Sequence, residues 1–175
     1  MEILALDLSL TSTGYCHNGE TGVIAPKTIG AERLSDIQRK VASLALNFSI
    51  NAVVMEGYSF ASRHSQAHSI GELGGVIRLL LFEMEIPYVV IPPTCRAKFA
   101  TGKGNASKNE VISSVSAKTG IVWSNPGGDD KCDAWILEEM TKTHLGTSTI
   151  DWPQLNKDAL KTIDWSPLEE LRKEN

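Results

Sequence analysis

Cysteine is scarce in this 175-residue chain, and Cys16, Cys95 and Cys132 are odd in number, widely spaced and without a CxxC pair. That pattern excludes a zinc ribbon and a disulfide framework, and predicts reduced thiols in a cytosolic compartment. No apolar span of 18 residues occurs, and the first ten residues already hold Glu2 and Asp7, so neither a membrane helix nor a secretory signal is expected. Without such a signal the patterns at Asn47-Phe-Ser49 and Asn105-Ala-Ser107 carry no glycosylation meaning. A GxxxxGK[ST] loop and a GxSxG elbow are missing too, which removes the signatures of P-loop ATPases and of serine hydrolases with a nucleophile elbow. Positive charge is in deficit, with 17 Lys and Arg against 21 Asp and Glu and a net charge of −4. At first sight this argues against a nucleic-acid partner. Distribution says otherwise: residues 94–118 carry Arg96, Lys98, Lys103, Lys108 and Lys118 against Glu110 alone, either a local basic surface or a solvated helix-loop-helix.

Against these absences stand four carboxylates. Asp7 closes the run Glu2-Ile-Leu-Ala-Leu-Asp7, and Glu56 closes Ala52-Val-Val-Met-Glu56. Both runs are short, aliphatic and bounded by turn residues, as buried strands are. Asp130 and Asp133 open an apolar-periodic stretch (Ala134, Ile136, Leu137, Met140), and their i,i+3 spacing sets both on one helix face. Each has an ordinary reading as well. An Asp after a strand serves turns and caps, and an acid in the first helical turn complements the helix dipole. Glu56 resists that reading, because Glu is a poor strand and turn residue. If the three elements converge, like charges at ~4 Å repel by about 4 kcal/mol at an effective dielectric near 20. Such a cluster persists by protonation or by binding hard divalent cations, and oxygen-only ligands favour magnesium or manganese.

The length suits one ordinary domain. Residues 2–7, 15–18 and 22–29 are predicted as an antiparallel meander that turns at Asn18-Gly19. Residues 31–48 predict an amphipathic helix, and 52–56 a strand returning in parallel. A polar loop over 57–65, a helix over 66–85 and a fifth strand over 88–91 follow, stopped by Pro92-Pro93. A short helix over 94–100 leads to Thr101-Gly-Lys-Gly-Asn105, and Ser107-Lys-Asn-Glu110 is a capping box for a helix ending before Gly120. The last core helix is expected over 129–144. The order predicts an α/β fold with a five-stranded mixed sheet, three antiparallel strands and then parallel ones, flanked by helices. Residues 1–145 form the expected domain. The tail, 146–175, repeats Ile-Asp-Trp at 150–152 and 163–165, and Trp152 and Trp165 are expected either to pack on the domain or to dock a protein partner. Two copies are too few for a repeat fold.

Taken together, these segments resemble the RuvC-type Holliday junction resolvases, a branch of the RNase H-like nucleases with phage-type members among them. The resemblance rests on Leu4-Ala-Leu-Asp-Leu-Ser-Leu-Thr-Ser-Thr-Gly-Tyr15, Val53-Val-Met-Glu-Gly57, Gly71-Glu-Leu-Gly-Gly75, the Lys98 to Lys108 segment and Asp130-Lys-Cys-Asp-Ala134, and covers about residues 2–145. It implies an RNase H-like fold and a homodimeric endonuclease of the bacterial or phage-infected cytoplasm. That enzyme resolves four-way DNA junctions by paired symmetrical nicks, leaving 5′-phosphate and 3′-hydroxyl ends. The resemblance makes Asp7, Glu56, Asp130 and Asp133 the catalytic, metal-binding set, with two Mg2+ or Mn2+ per active site in a two-metal hydrolysis. Asp129, i,i+4 to Asp133, is the second choice as a ligand. Lys108 matches a basic residue that the family places near the scissile phosphate, and Lys98 one that contacts DNA. Lys103, Arg96 and Arg63 extend the expected DNA-binding charge. After the strand acid the family carries an aromatic that wedges into the junction, and Tyr58 and Phe60 flank that position. Gly71, Gly74 and Gly75 would cost a free helix about 1 kcal/mol each relative to alanine. They make sense if something packs closely there, and in the family this helix helps form the dimer.

Three rivals stand beside this reading. Asp7-Leu-Ser-Leu-Thr-Ser-Thr-Gly14 also looks like the first phosphate loop of sugar kinases and actin-like ATPases, which need a second domain and another phosphate loop. A non-cutting junction-binding scaffold would be marked by loss of one of the four acids, and all four are present. An RNase H-like nuclease acting on other branched DNA or on RNA stays open, because fold does not fix substrate.

Overall fold

Alternating burial along short strands builds the centre of the molecule. The computed structural model describes residues 1–57, 66–124 and 126–174, with the side chains of 66–70 and 174 outside the description. Strands β1 (Ile3–Asp7), β2 (Thr13–His17), β3 (Glu20–Ile24), β4 (Ala52–Glu56) and β5 (Tyr88–Ile91) lie in the order β3-β2-β1-β4-β5. The first three pair antiparallel, and β4 and β5 join parallel to β1, the mixed sheet the sequence predicts. Asn18 and Gly19 have φ of 51° and 82°, the double positive φ that a two-residue hairpin requires. The third strand ends at Ile24, five residues short of the expected boundary. Its partner β2 begins at Thr13, opposite Ile24, so no strand remains to pair beyond it.

Helices α1 (Gly30–Asn47), α2 (Gln66–Glu83), α3 (Pro93–Thr101), α4 (Lys108–Thr119) and α5 (Gly128–Leu145) cover both faces. Leu4, Leu6, Val53 and Met55 point to one face, where Ile37 and Val41 of α1 and Leu73, Ile77 and Leu81 of α2 bury them. Ile3, Ala5, Ala52 and Val54 point to the other, against α3, α4 and α5. Because side chains alternate along a strand, Asp7 shares the face of Ile3 and Ala5, and Glu56 that of Ala52 and Val54. The two strand acids therefore look toward α5.

Helix α5 is buried almost all round, from Cys132 to Thr141. Its Glu138 is inside the protein and accepts from Cys16 Sγ at 3.4 Å, Gly19 N–H at 2.9 Å and Lys142 Nζ at 2.6 Å, tying the β2–β3 hairpin to the helix. The tail adds α6 (Gln154–Lys157), a 3₁₀ turn (Asp158–Thr162) and α7 (Ser166–Glu174). Trp152 donates to Glu139 at 3.0 Å and packs on Phe99 with ring centres 4.5 Å apart. Trp165 stacks on His144 at 4.3 Å and donates to the Leu160 carbonyl. Both indoles are buried. Among the described residues no helix is long and apolar enough to cross a membrane.

Candidate active site

Leu6 lies opposite Met55 in the β1–β4 ladder, so Asp7 and Glu56 end neighbouring parallel strands on the same face. The amino end of α5 comes down beside them. Asp7 pairs across the sheet with Gly14, and a Cβ on Gly14 would run into the carbonyl of Asp130. The missing side chain is what lets the first turn of α5, with Asp129 and Asp130, approach β1 and β2. Asp133 follows one turn on and is 4% exposed. Gly127, at φ 70°, reverses the chain into this helix.

At this spacing the acids feel one another. Burial pushes the Asp7 carboxyl well above its ordinary value, and the charges of Glu56, Asp133 and Asp130 push it further. Asp133 is raised to about 7, first by burial, with Glu56 adding to it and Arg96 working against it. One guanidinium sits among them. Arg96, 8% exposed, donates Nε–H to Glu56 and an Nη1–H to Asp133. The basic stretch of the sequence puts it among the expected DNA contacts. Instead it is drawn inward, because one turn of helix separates it from Pro92, at the end of the strand that pairs with β4.

Lys108, the first residue of α4, holds its Nζ 3.0 Å from Asp129 at the rim of the site. The capping box of Ser107 and Glu110 sets that helix start: Ser107 N–H reaches Glu110 at 2.7 Å and Glu110 N–H reaches Ser107 Oγ at 3.4 Å. The lysine feels Asp133 and Asp7 as well, which with Asp129 keeps its pKa above the usual value against the partial desolvation that lowers it. Asp129 is correspondingly held low by Lys108. Lys103 is exposed on the α3–α4 loop, while Lys98 is half-buried and close enough to the tail to help hold Asp158 low. Tyr58, Phe60 and Arg63 lie outside the described residues.

The donor set suits a hard divalent cation: carboxylate oxygens only, in a buried place with surplus negative charge. With Arg96 bonded to Glu56 and Asp133, no group of three potential ligand side chains among the described residues stands at metal-holding spacing. The chemistry fits; the arrangement of side chains holds an organic cation.

No family model matches the chain. Among curated proteins, the crossover junction endodeoxyribonuclease RuvC of Prochlorococcus marinus strain NATL1A is 30% identical over 148 residues, covering 78% of this chain and 95% of the relative. This chain belongs to the RuvC family. The RuvC of Pseudothermotoga lettingae is 32% identical over a shorter stretch of 81 residues, 46% of this chain and half of the relative. Among solved structures, T. thermophilus RuvC in complex with a Holliday junction substrate matches 84% of this chain and 97% of its own length, at TM-score 0.65 and 23% identity. The fowlpox virus resolvase with junction DNA matches at TM-score 0.51 and 17% identity, over 83% and 99%. At these identities the likeness is one of fold, and it agrees with the RNase H-like sheet expected from the sequence.

Within this RuvC-family chain, sequence reasoning misses Gly14 and gives Arg96 to the DNA surface, not to the acids. Gly14 lies in a turn motif that gives it no role of its own; its pairing with Asp7 becomes visible only with strand register. Arg96 reads like its basic neighbours, and no linear signal distinguishes a lysine facing water from an arginine facing carboxylates on other elements.

Proposed function

We propose that this chain cuts four-way DNA junctions by metal-dependent phosphodiester hydrolysis, as a homodimer that places one nick in each of two strands. The observation that carries the reading is the convergence of Asp7, Glu56, Asp130 and Asp133 from two strands and one helix end. Magnesium or manganese bound there, two per site, would supply the charge that activates a water and stabilises the leaving 3′-oxygen. Asp7, Glu56, Asp130 and Asp133 are the ligands in this reading, with Asp129 left to Lys108. No side-chain nucleophile is needed, in keeping with a sequence that has no GxSxG elbow. Lys108, exposed at the rim, exchanges Asp129 for a phosphate oxygen and holds the strand over the acids. Lys103 on the adjacent loop, and Arg63 with Tyr58 or Phe60 after β4, extend the contact to the junction arms.

The dimer reading is supported by α2. Gly75, Leu79 and Phe82 recur on one side of this helix; a Cβ on Gly75 would touch nothing, and Leu79 and Phe82 are 55% and 79% exposed. An apolar stripe that begins on a small residue suits a second copy of the same helix. A labelled synthetic four-way junction, incubated with the protein and magnesium, manganese or chelator, tests the whole. Metal-dependent, symmetrically placed nicks confined to the junction are expected. Preference for forks, flaps or RNA–DNA hybrid would move the substrate and keep the nuclease, and tight junction binding without cutting would leave a scaffold.

A further inference from the structure

Arg96 is the only buried base among the described residues. Its helix is braced at its start and along its length. Pro92 and Pro93 begin α3, the Arg96 N–H bonds the Pro92 carbonyl at 3.1 Å, and Ala97, Phe99 and Ala100 of the same helix are buried. From behind, the tail holds α3 through Asn156 to the Phe99 carbonyl at 2.6 Å and Cys95 Sγ to Thr162 at 3.4 Å. The guanidinium thereby enters the acidic site from a fixed base and bonds Glu56 and Asp133, carboxylates that come from different elements. Its rigid fork of donors suits two acids at once better than an ammonium does. Lone pairs and charge committed to Arg96 are the same ones a hard cation requires, and a buried pair does not give up one partner unless another charge replaces it.

We propose that Arg96 is the resident cation of the acidic site, exchanging with divalent metal for Glu56 and Asp133 and so setting the metal concentration at which the site loads. The inference rests on the reading of these acids as a metal site. Arg96 acts here as a positioning residue: it holds two ligands in place until the metal takes them. Calorimetric titration with Mn2+ compares the full-length wild-type chain with Arg96→Met, which keeps the aliphatic stem, and Arg96→Lys, which keeps the charge without the fork. Arg96→Met is expected to bind Mn2+ about tenfold more tightly, equivalent to about 1.4 kcal/mol, and to melt lower than wild type in chelator but not in Mn2+. Arg96→Lys should fall between. The wild-type protein supplies a second measurement that does not depend on a variant folding. With nitrogen-labelled arginine, the Nε–H resonance assigned to Arg96 should leave its ion-paired position as Mg2+ is added. A resonance unmoved at saturating Mg2+, or a folded Arg96→Met with unchanged or weaker Mn2+ binding, overturns the exchange while leaving the metal site standing. If neither protein binds Mn2+ at all, the metal-site reading itself falls, and the exchange with it.

Discussion

At the scale of single residues, the site depends on charges that are unfavourable alone and on one missing side chain. Asp7 and Glu56 carry the strand half of the cluster, so Asp7→Asn and Glu56→Gln are each expected to reduce junction cleavage by at least about a hundredfold, the upper end of what losing even a hydrogen-bond partner of a metal ligand costs, while gel-shift affinity in calcium stays close to wild type. Wild-type cleavage by either variant would remove that acid from the site. Gly14 makes a sharper case, because it bears no chemistry. Gly14→Ala places a methyl against the Asp130 carbonyl, so α5 must retreat from β1 and β2. Loss of cleavage in a folded Gly14→Ala protein, with far-ultraviolet dichroism unchanged, is the expected outcome. Full activity would mean that α5 has room the structure does not give it.

At the scale of elements, α5 is the rod on which the molecule is assembled, and the tail and α2 act through it or beside it. The tail is fastened by large apolar groups: Trp152 lies on Phe99 and bonds Glu139, with Lys118 Nζ 5.9 Å from its ring centre. Trp152→Ala should therefore cost about 3–5 kcal/mol in urea unfolding, the usual loss for a buried large aromatic. A cost near zero would make the tail a loosely held appendage. Helix α2 leaves Leu79 and Phe82 in water in the single chain. The proposed dimer predicts that Phe82→Glu sediments as a monomer where wild type sediments as a dimer, and that the variant loses paired nicking. A variant that stays dimeric would assign that face to something else.

At the scale of the whole molecule, the buried acids make stability depend on pH in an unusual direction. Burial pushes the Asp133 carboxyl up from an ordinary value of 3.8 to about 7. Between those values the folded state binds the extra proton, so this contribution is fully present below the unfolded pKa and is lost as pH rises through about 7. His144 acts oppositely, since burial lowers its pKa. The comparison with Asp133→Asn cancels that histidine. In chelator, the wild-type melting temperature should fall relative to Asp133→Asn between pH 5 and 8, and saturating Mg2+ should remove the difference in slope. Parallel curves in chelator would mean that Asp133 is ionised throughout.

The sequence by itself determined the element order and the residue types at the site. Alternation in 3–7 and 52–56 is local, so strand type and the shared facing of Asp7 and Glu56 with their i−2 neighbours are legible in the residue order alone. The i,i+3 pair at Asp130 and Asp133 and the capping box at Ser107 are equally local, each set by helix geometry over a few residues. What tertiary structure alone decided are contacts between segments far apart in the chain. Gly14 matters because antiparallel register brings it to Asp7 and helix packing brings Asp130 to both. Arg96 leaves the basic stretch for the acids because α3 follows the strand beside β4. Trp152 and Trp165 carry almost the same local motif, yet one settles on Phe99 and the other on His144, since burial is satisfied by whichever apolar surface the chain's path reaches. Periodicity is written in neighbours; proximity is made by packing.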